Sequence, residues 1–202
     1  MRRSRLPIGL AGLGVHGRRY AAHLLRGDVP EAELVAVHTR DAAKGVAWAA
    51  EHGVAFHAHL SELAADAAVE AVAIVLPPAE HPAAVEHAVR CGVPVLVEKP
   101  IAADVAAARA MVESARRAGV PAMVAQTLRY DSLVGALRAA LPQLGPLHLV
   151  AINQRFEPSG RSWLDDPVQG GVLSNTGVHG LDLLRVLTGA EIVAARAMSR
   201  SV

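Results

Sequence analysis

Leu6-Pro7-Ile8-Gly9-Leu10-Ala11-Gly12-Leu13-Gly14-Val15-His16-Gly17 is the stretch on which the fold turns. A short apolar run meets a glycine triplet spaced G-x-G-x-x-G, and an Ala/Leu-rich segment follows. That spacing lets a strand turn tightly into a helix and leaves bare backbone where a diphosphate can approach. The helix N-terminus then points its free N–H groups and positive dipole end at an anion.

Outward from this turn, apolar runs alternate with helical stretches. Leu6–Ala11 predicts a first strand and Val15–Arg26 its helix; 34–38 predicts a second strand and Ala42–His52 the next helix. A short strand at 54–56, a short helix at 61–67 and a buried strand at 69–76 follow, the last stopped by Pro77-Pro78. Then come a helix at 80–90, a strand at 93–97, the helix Val105–Ala118 and a strand at 120–125. Periodicity alone does not separate short apolar strands from buried helix. Here Gly92, Pro94, Gly119 and Pro121 fall at the helix-to-strand junctions and decide it. Such β-α alternation implies a parallel sheet with helices on both faces. Its ligands bind beyond the strands' carboxyl ends, which brings residues 12–17, 39–40, 76–81 and 98–100 to one rim.

From about Asp131 the alternation lapses. Residues 131–141 and 171–187 read as helices, 147–156 and 192–198 as strands, and 157–169 as a polar loop. No internal repeat is visible.

Composition bounds the function. The 202 residues are 52% apolar and 19% charged, a globular balance with room for one good core and part of another. A net charge of +1 argues against a nucleic-acid partner, and Arg2, Arg3 and Arg5 read as a solvated terminus. Cys91 is the only cysteine, so an intrachain disulfide is excluded and a reducing, cytoplasmic setting is expected. Pro7, His16 and Arg18-Arg19 interrupt the early apolar stretch, which argues against a secretory signal. No segment reads as a membrane span.

Thr39 stands 22 residues after Gly17, where an NAD site carries an acidic residue for the ribose 2′-hydroxyl. A carboxylate would repel a 2′-phosphate, whereas the Thr39 hydroxyl and the Arg40 guanidinium would receive one. The expected cofactor is therefore NADP rather than NAD.

The chain resembles the glucose-fructose oxidoreductase/inositol dehydrogenase (Gfo/Idh/MocA) family. The matching pieces occur in family order: Gly12-x-Gly14-x-x-Gly17, Pro77-Pro78-Ala79-Glu80-His81, Glu98-Lys99-Pro100, and Gly170-Gly171 leading to Gly177-Val178-His179. The glycine triplet alone is common; Glu-Lys-Pro after the fifth major strand is far more specific. The resemblance implies a Rossmann-type doubly wound parallel sheet over residues 1–128 and an incomplete α+β second domain over 129–202. It implies that Gly12, Gly14, Val15, His16 and Gly17 hold the cofactor, with Leu76, Pro77 and His81 on the nicotinamide side. Glu98 and Lys99 would stand beside nicotinamide and substrate, with Pro100 commonly following a cis bond in the family. Gln126, at the end of the next strand, reads either as a cofactor contact or as a polar strand-end cap.

Hydride transfer at a hydroxyl carbon needs a group to take or supply the alcohol proton. In the family an Asp-x-x-x-His segment provides it, and i, i+4 spacing puts both side chains on one helical face. Here the segment is Asn175-Thr176-Gly177-Val178-His179. Asn175 can hydrogen-bond a substrate hydroxyl but cannot act as a base. Three readings stay open: His179 with Lys99 suffices for proton transfer, the substrate differs from common sugars, or the chain binds cofactor without efficient turnover. The expectation is an oxidoreductase acting on a sugar, polyol, cyclitol or related hydroxy/keto compound, with Lys99, His179 and Asn175 as candidate catalytic residues. The alternative is a non-catalytic NAD(P)-binding sensor or regulatory module.

Asp182 could orient His179 or its helix; Arg129 and Tyr130 could meet substrate or merely pack; Trp163 could stack on a sugar or anchor a core. His52, His57 and His59 cluster without ligand spacing, so no metal is expected. Family members are considerably longer. Two strands make a poor sheet alone, so either the chain is a truncated member or a partner subunit completes the sheet, which suggests a homo-oligomer.

Overall fold

Six strands form one all-parallel sheet in the computed structural model, which describes residues 5–154, 171 and 173–198. They are β1 (Leu6–Ala11), β2 (Ala32–His38), β3 (Ala55–His57), β4 (Ala71–Ile74), β5 (Val95–Val97) and β6 (Ala122–Val124). Their order is β3-β2-β1-β4-β5-β6, a Rossmann-type doubly wound sheet. The order reverses between β1 and β4, and the crevice past their carboxyl ends is where such sheets take ligands.

Side-chain alternation gives the sheet two buried faces. Leu10, Leu34, Val37 and Ala73 pack with Ala21 of α1 (Val15–Arg26) and Ala49 of α2 (Ala42–His52). Ala11, Ala36, Val72, Ile74, Val95 and Val97 face the other way. They pack with residues of α3 (Leu60–Ala65), α4 (His81–Arg90) and α5 (Val105–Ala118). Asp41 and Asp104 cap α2 and α5 by accepting from Lys44 and Ala107 N–H. Gly27, Gly53 and Gly119 end α1, α2 and α5 in the left-handed conformation.

Strands β4, β5 and β6 are shorter than their apolar runs predict. Val69 and Val120 bury against the core from outside the ladder, so apolarity extends beyond the paired backbone. The 80–90 helix is preceded by a 3₁₀ turn at Pro78–Glu80.

The chain divides into two compact units, Met1–Ala125 and Gln126–Val202. The second contains a 3₁₀ turn at Thr127–Tyr130, α6 (Ser132–Ala140), a 3₁₀ turn at Leu141–Leu144, a π-helical turn at Leu173–Gly177 and α7 (Val178–Thr188). The strands expected at 147–156 and 192–198 are a correction. Residues 147–154 and 192–198 carry no strand ladder among the described residues, and Leu149 and Val193 are 85% and 96% exposed. Apolar alternation marks a face, but a strand also needs a neighbour for its N–H and C=O groups. The 157–169 loop, Trp163 and Gly170 lie outside the described residues, as do Arg2 and Arg3. No helix among the described residues is long and apolar enough to cross a membrane.

Candidate functional site

The register of the sheet builds the rim. Ala11 pairs with both His38 and Ile74, Ile74 with Val97, and Val97 with Val124. One step further, Gly12 N–H donates to the His38 carbonyl at 2.8 Å and Glu98 N–H to that of Ile74 at 2.9 Å. The glycine turn, Thr39-Arg40, Leu76-Pro77 and Glu98-Lys99 therefore all leave the carboxyl edge of one sheet.

Within the turn the three glycines differ. Gly12 has φ +108°, and a Cβ there would lie 2.2 Å from the Val75 carbonyl oxygen. A Cβ on Gly17 would lie 1.9 Å from the Gly12 carbonyl oxygen. The fold itself demands both glycines. Gly14 is otherwise: its φ of −65° suits any residue, and a Cβ there would meet nothing within 4 Å. Its bareness serves no contact inside the described chain. Gly14 is also the N-cap of α1, with no side-chain cap and no acidic residue in the first turn. The N–H groups of Val15, His16 and Gly17 precede the first helical bond, Arg18 to Gly14, and so remain available to an anion.

At the end of β2, Thr39 is partly buried and Arg40 is exposed. The Arg40 guanidinium lies 3.8 Å from the Glu80 carboxylate, a loose pair with 80% of the arginine side chain in solvent. Arg40 thus stands at the rim with its charge only weakly engaged.

His81 is fully buried. Its Nε2 lies 2.9 Å from the Leu76 carbonyl oxygen, and its Nδ1 lies 3.1 and 3.2 Å from those of Pro100 and Ile101. One imidazole thereby joins the loop after β4 to the turn after β5. The Lys99–Pro100 peptide bond in that turn is cis.

Glu98 is buried, whereas Lys99 is half-buried. Burial pushes the Lys99 ammonium below the usual lysine range, against the opposing pull of the Glu98 carboxylate. Glu98 in turn receives Tyr20 and His16 from α1. Sequence reasoning missed Tyr20; its position four residues after His16 was the available signal.

In the second unit, Asn175 lies in the π-helical turn and His179 in the first turn of α7, both partly buried. The segment is thus not one continuous α-helix, though the two side chains remain one turn apart. Gln126 has a buried Oε1 with no hydrogen-bond partner among the described residues. Asp182 receives the Arg129 guanidinium through two nitrogens, Nε at 2.7 Å and Nη2. This pair holds the arginine's proton more firmly than usual and ties the 127–130 turn to α7. Tyr130 is exposed.

The clustered histidines have other partners. His57 Nε2 lies 2.8 Å from Asp66 Oδ2, His52 stacks on Trp48, and His59 caps α3. No group of three or more potential ligands is placed to hold a metal among the described residues.

Residues 6–126 match the Gfo/Idh/MocA model, described as an oxidoreductase family with an NAD-binding Rossmann fold. Inositol 2-dehydrogenase 1 of Saccharopolyspora erythraea is 43% identical over 101 residues, 49% of this chain and 30% of that protein. UDP-N-acetylglucosamine 3-dehydrogenase of Acidithiobacillus ferrooxidans is 33% identical over 193 residues, 95% of this chain and 56% of that one. The WlbA dehydrogenase of Bordetella pertussis, solved with NADH and UDP-GlcNAcA, shares the fold with a TM-score of 0.82 at 23% identity. That match covers 93% of this chain and 58% of the other. The matches thus span 30% of the first of these proteins and little more than half the length of the other two.

Proposed function

The chain belongs to the Gfo/Idh/MocA family of oxidoreductases, and from that premise we propose an NADP(H)-dependent oxidoreductase that transfers a hydride to or from a sugar, polyol, cyclitol or related hydroxy/keto compound. The observation that carries this reading is Gly14. Its Cα faces open space at an uncapped helix N-terminus, between two glycines that the fold itself requires. A diphosphate against that backbone explains the third glycine.

Gly12, Gly14, Val15, His16 and Gly17 would hold the diphosphate. Thr39 and Arg40 would receive a 2′-phosphate, in which case Glu80 gives up its loose hold on the guanidinium. Leu76, Pro77, His81, Glu98 and Gln126 would frame the nicotinamide. The cofactor supplies the hydride chemistry when bound. Lys99 would polarise the reacting oxygen, and its lowered proton affinity suits a group that gives and takes a proton. His179 would handle the proton in the second unit, where Asn175 would orient a hydroxyl without serving as a base. UDP-sugar and inositol dehydrogenases among the relatives support this substrate range. A cytoplasmic enzyme acting as a homo-oligomer completes the proposal.

Fluorescence titration with NADPH and NADH tests the cofactor. NADPH should bind at least about tenfold more tightly, as expected of a charge-assisted phosphate contact, and Gly14→Ala should weaken both. Tighter NADH binding overturns the NADP assignment. Turnover is tested with a polyol and cyclitol panel followed by nicotinamide absorbance, in which Lys99→Met should lose rate far more than cofactor affinity. Asn175 favours a second reading, a cofactor-binding sensor; binding without turnover across the panel would select it.

A further inference from the structure

The Glu98 carboxylate holds two parts of the rim together. Tyr20 donates its hydroxyl to Oε1 at 2.7 Å, and His16 Nε2 lies 2.9 Å from the same oxygen. A carboxylate only accepts, so the His16 nitrogen is the donor. Oε2 accepts the Lys99 backbone N–H at 3.0 Å. His16 and Tyr20 stand one turn apart on α1, their rings edge to face with centroids 5.4 Å apart. The first turns of α1, which open from the glycine loop, are therefore pinned to the end of β5 by a single buried group.

We propose that Tyr20 is a positioning residue for Lys99, acting through Glu98: with His16 it occupies one carboxylate oxygen and leaves the other on the Lys99 backbone. The inference rests on the functional reading only in taking Lys99 as the group that meets substrate. Tyr20 is not a proton relay. Burial and the Glu98 anion both disfavour its phenolate and hold its proton well above the usual tyrosine range. It remains a donor, and what it controls is where the Glu98 charge sits. That charge favours the Lys99 ammonium while burial disfavours it. Among the described residues, the titratable side chains that bond to Glu98 are His16 and Tyr20 from α1, while its neighbour Lys99 bonds through the backbone N–H and its ammonium feels the carboxylate's charge. His81, from α4, meets the carbonyl oxygens of the same turn at Pro100 and Ile101.

The test reads Lys99 directly, without substrate. The full chain is acetylated with trace acetic anhydride across a pH series, and Lys99 modification is measured by peptide mass spectrometry. Tyr20→Phe releases Glu98 charge, so the midpoint should rise by about half to one pH unit. Glu98→Gln removes the charge, so the midpoint should fall. Tyr20→Phe added to Glu98→Gln should then change nothing further, because the tyrosine acts only through the carboxylate. An unchanged midpoint in Tyr20→Phe, or the same shift with and without Glu98, overturns the proposal. If Tyr20→Phe does not fold, His16→Ala at its half-exposed position supplies the same comparison. NADPH and NADH titrations run alongside. Loss of the functional reading would appear there as absent binding, with the labelling midpoints unaffected.

Discussion

Residues 5–125 and the described residues beyond them are built from similar apolar material, yet the two stretches end differently. In the first, Leu10, Val37 and Ile74 are fully buried between paired strands and helices. In the second, Leu133, Leu149 and Val193 stand largely in solvent, and the expected strands have no ladder among the described residues. Apolar spacing names the face to be covered, and only a neighbour covers it.

Truncating one leucine in each region should separate them most sharply. Leu10→Ala empties a fully buried position and should cost about 3 kcal/mol, read by denaturant unfolding. Leu149→Ala at an 85% exposed position should stay within about 0.5 kcal/mol. Equal costs would break the contrast.

A second comparison lies inside the glycine turn. Gly17→Ala drives a Cβ into the Gly12 backbone and should cost about 2 kcal/mol or more. Gly14→Ala should leave the melting temperature nearly unchanged while weakening NADPH. If Gly14→Ala also unfolds the chain, its glycine is structural and the cofactor reading loses its main support.

The second unit has its own fastener in Arg129 and Asp182. Asp182→Asn should destabilise by about 1 kcal/mol, since the acceptor is mostly buried and its arginine only partly exposed. Thermal unfolding checks this, and no effect would mean the pair is decorative.

The smallest expected effect is a pH dependence at Asp66. The Ala68 backbone N–H and then His57 hold its carboxyl below the usual range. A carboxylate depressed in the folded state stabilises above its unfolded value, and that support is lost as pH falls through the folded one. Stability should therefore decline as pH drops below about 4, and Asp66→Asn should flatten that limb by no more than about 0.5 kcal/mol at this partly exposed site. An unchanged acid limb in Asp66→Asn would remove the linkage.

Most of the first unit was legible because its signals are local. The glycine spacing and the Gly/Pro junctions each act over a few residues, and α1, α2 and α5 have the boundaries read from sequence. Helix 171–187 was only partly legible, since composition does not announce the π-helical turn that precedes α7.

The sequence by itself determined the turn, the β-α order and the residues that leave the sheet's carboxyl edge, because backbone sterics and side-chain periodicity act along the chain. Only the tertiary structure decided which charges meet. Glu98 finds Tyr20 and His16 from 78 and 82 residues away, and Arg129 finds Asp182 across 53. Such partnerships depend on which elements the fold brings side by side, and a carboxylate carries no mark of its partner in the residues beside it. The same reason governs the second unit: whether an apolar stretch becomes a strand is settled by the backbone next to it.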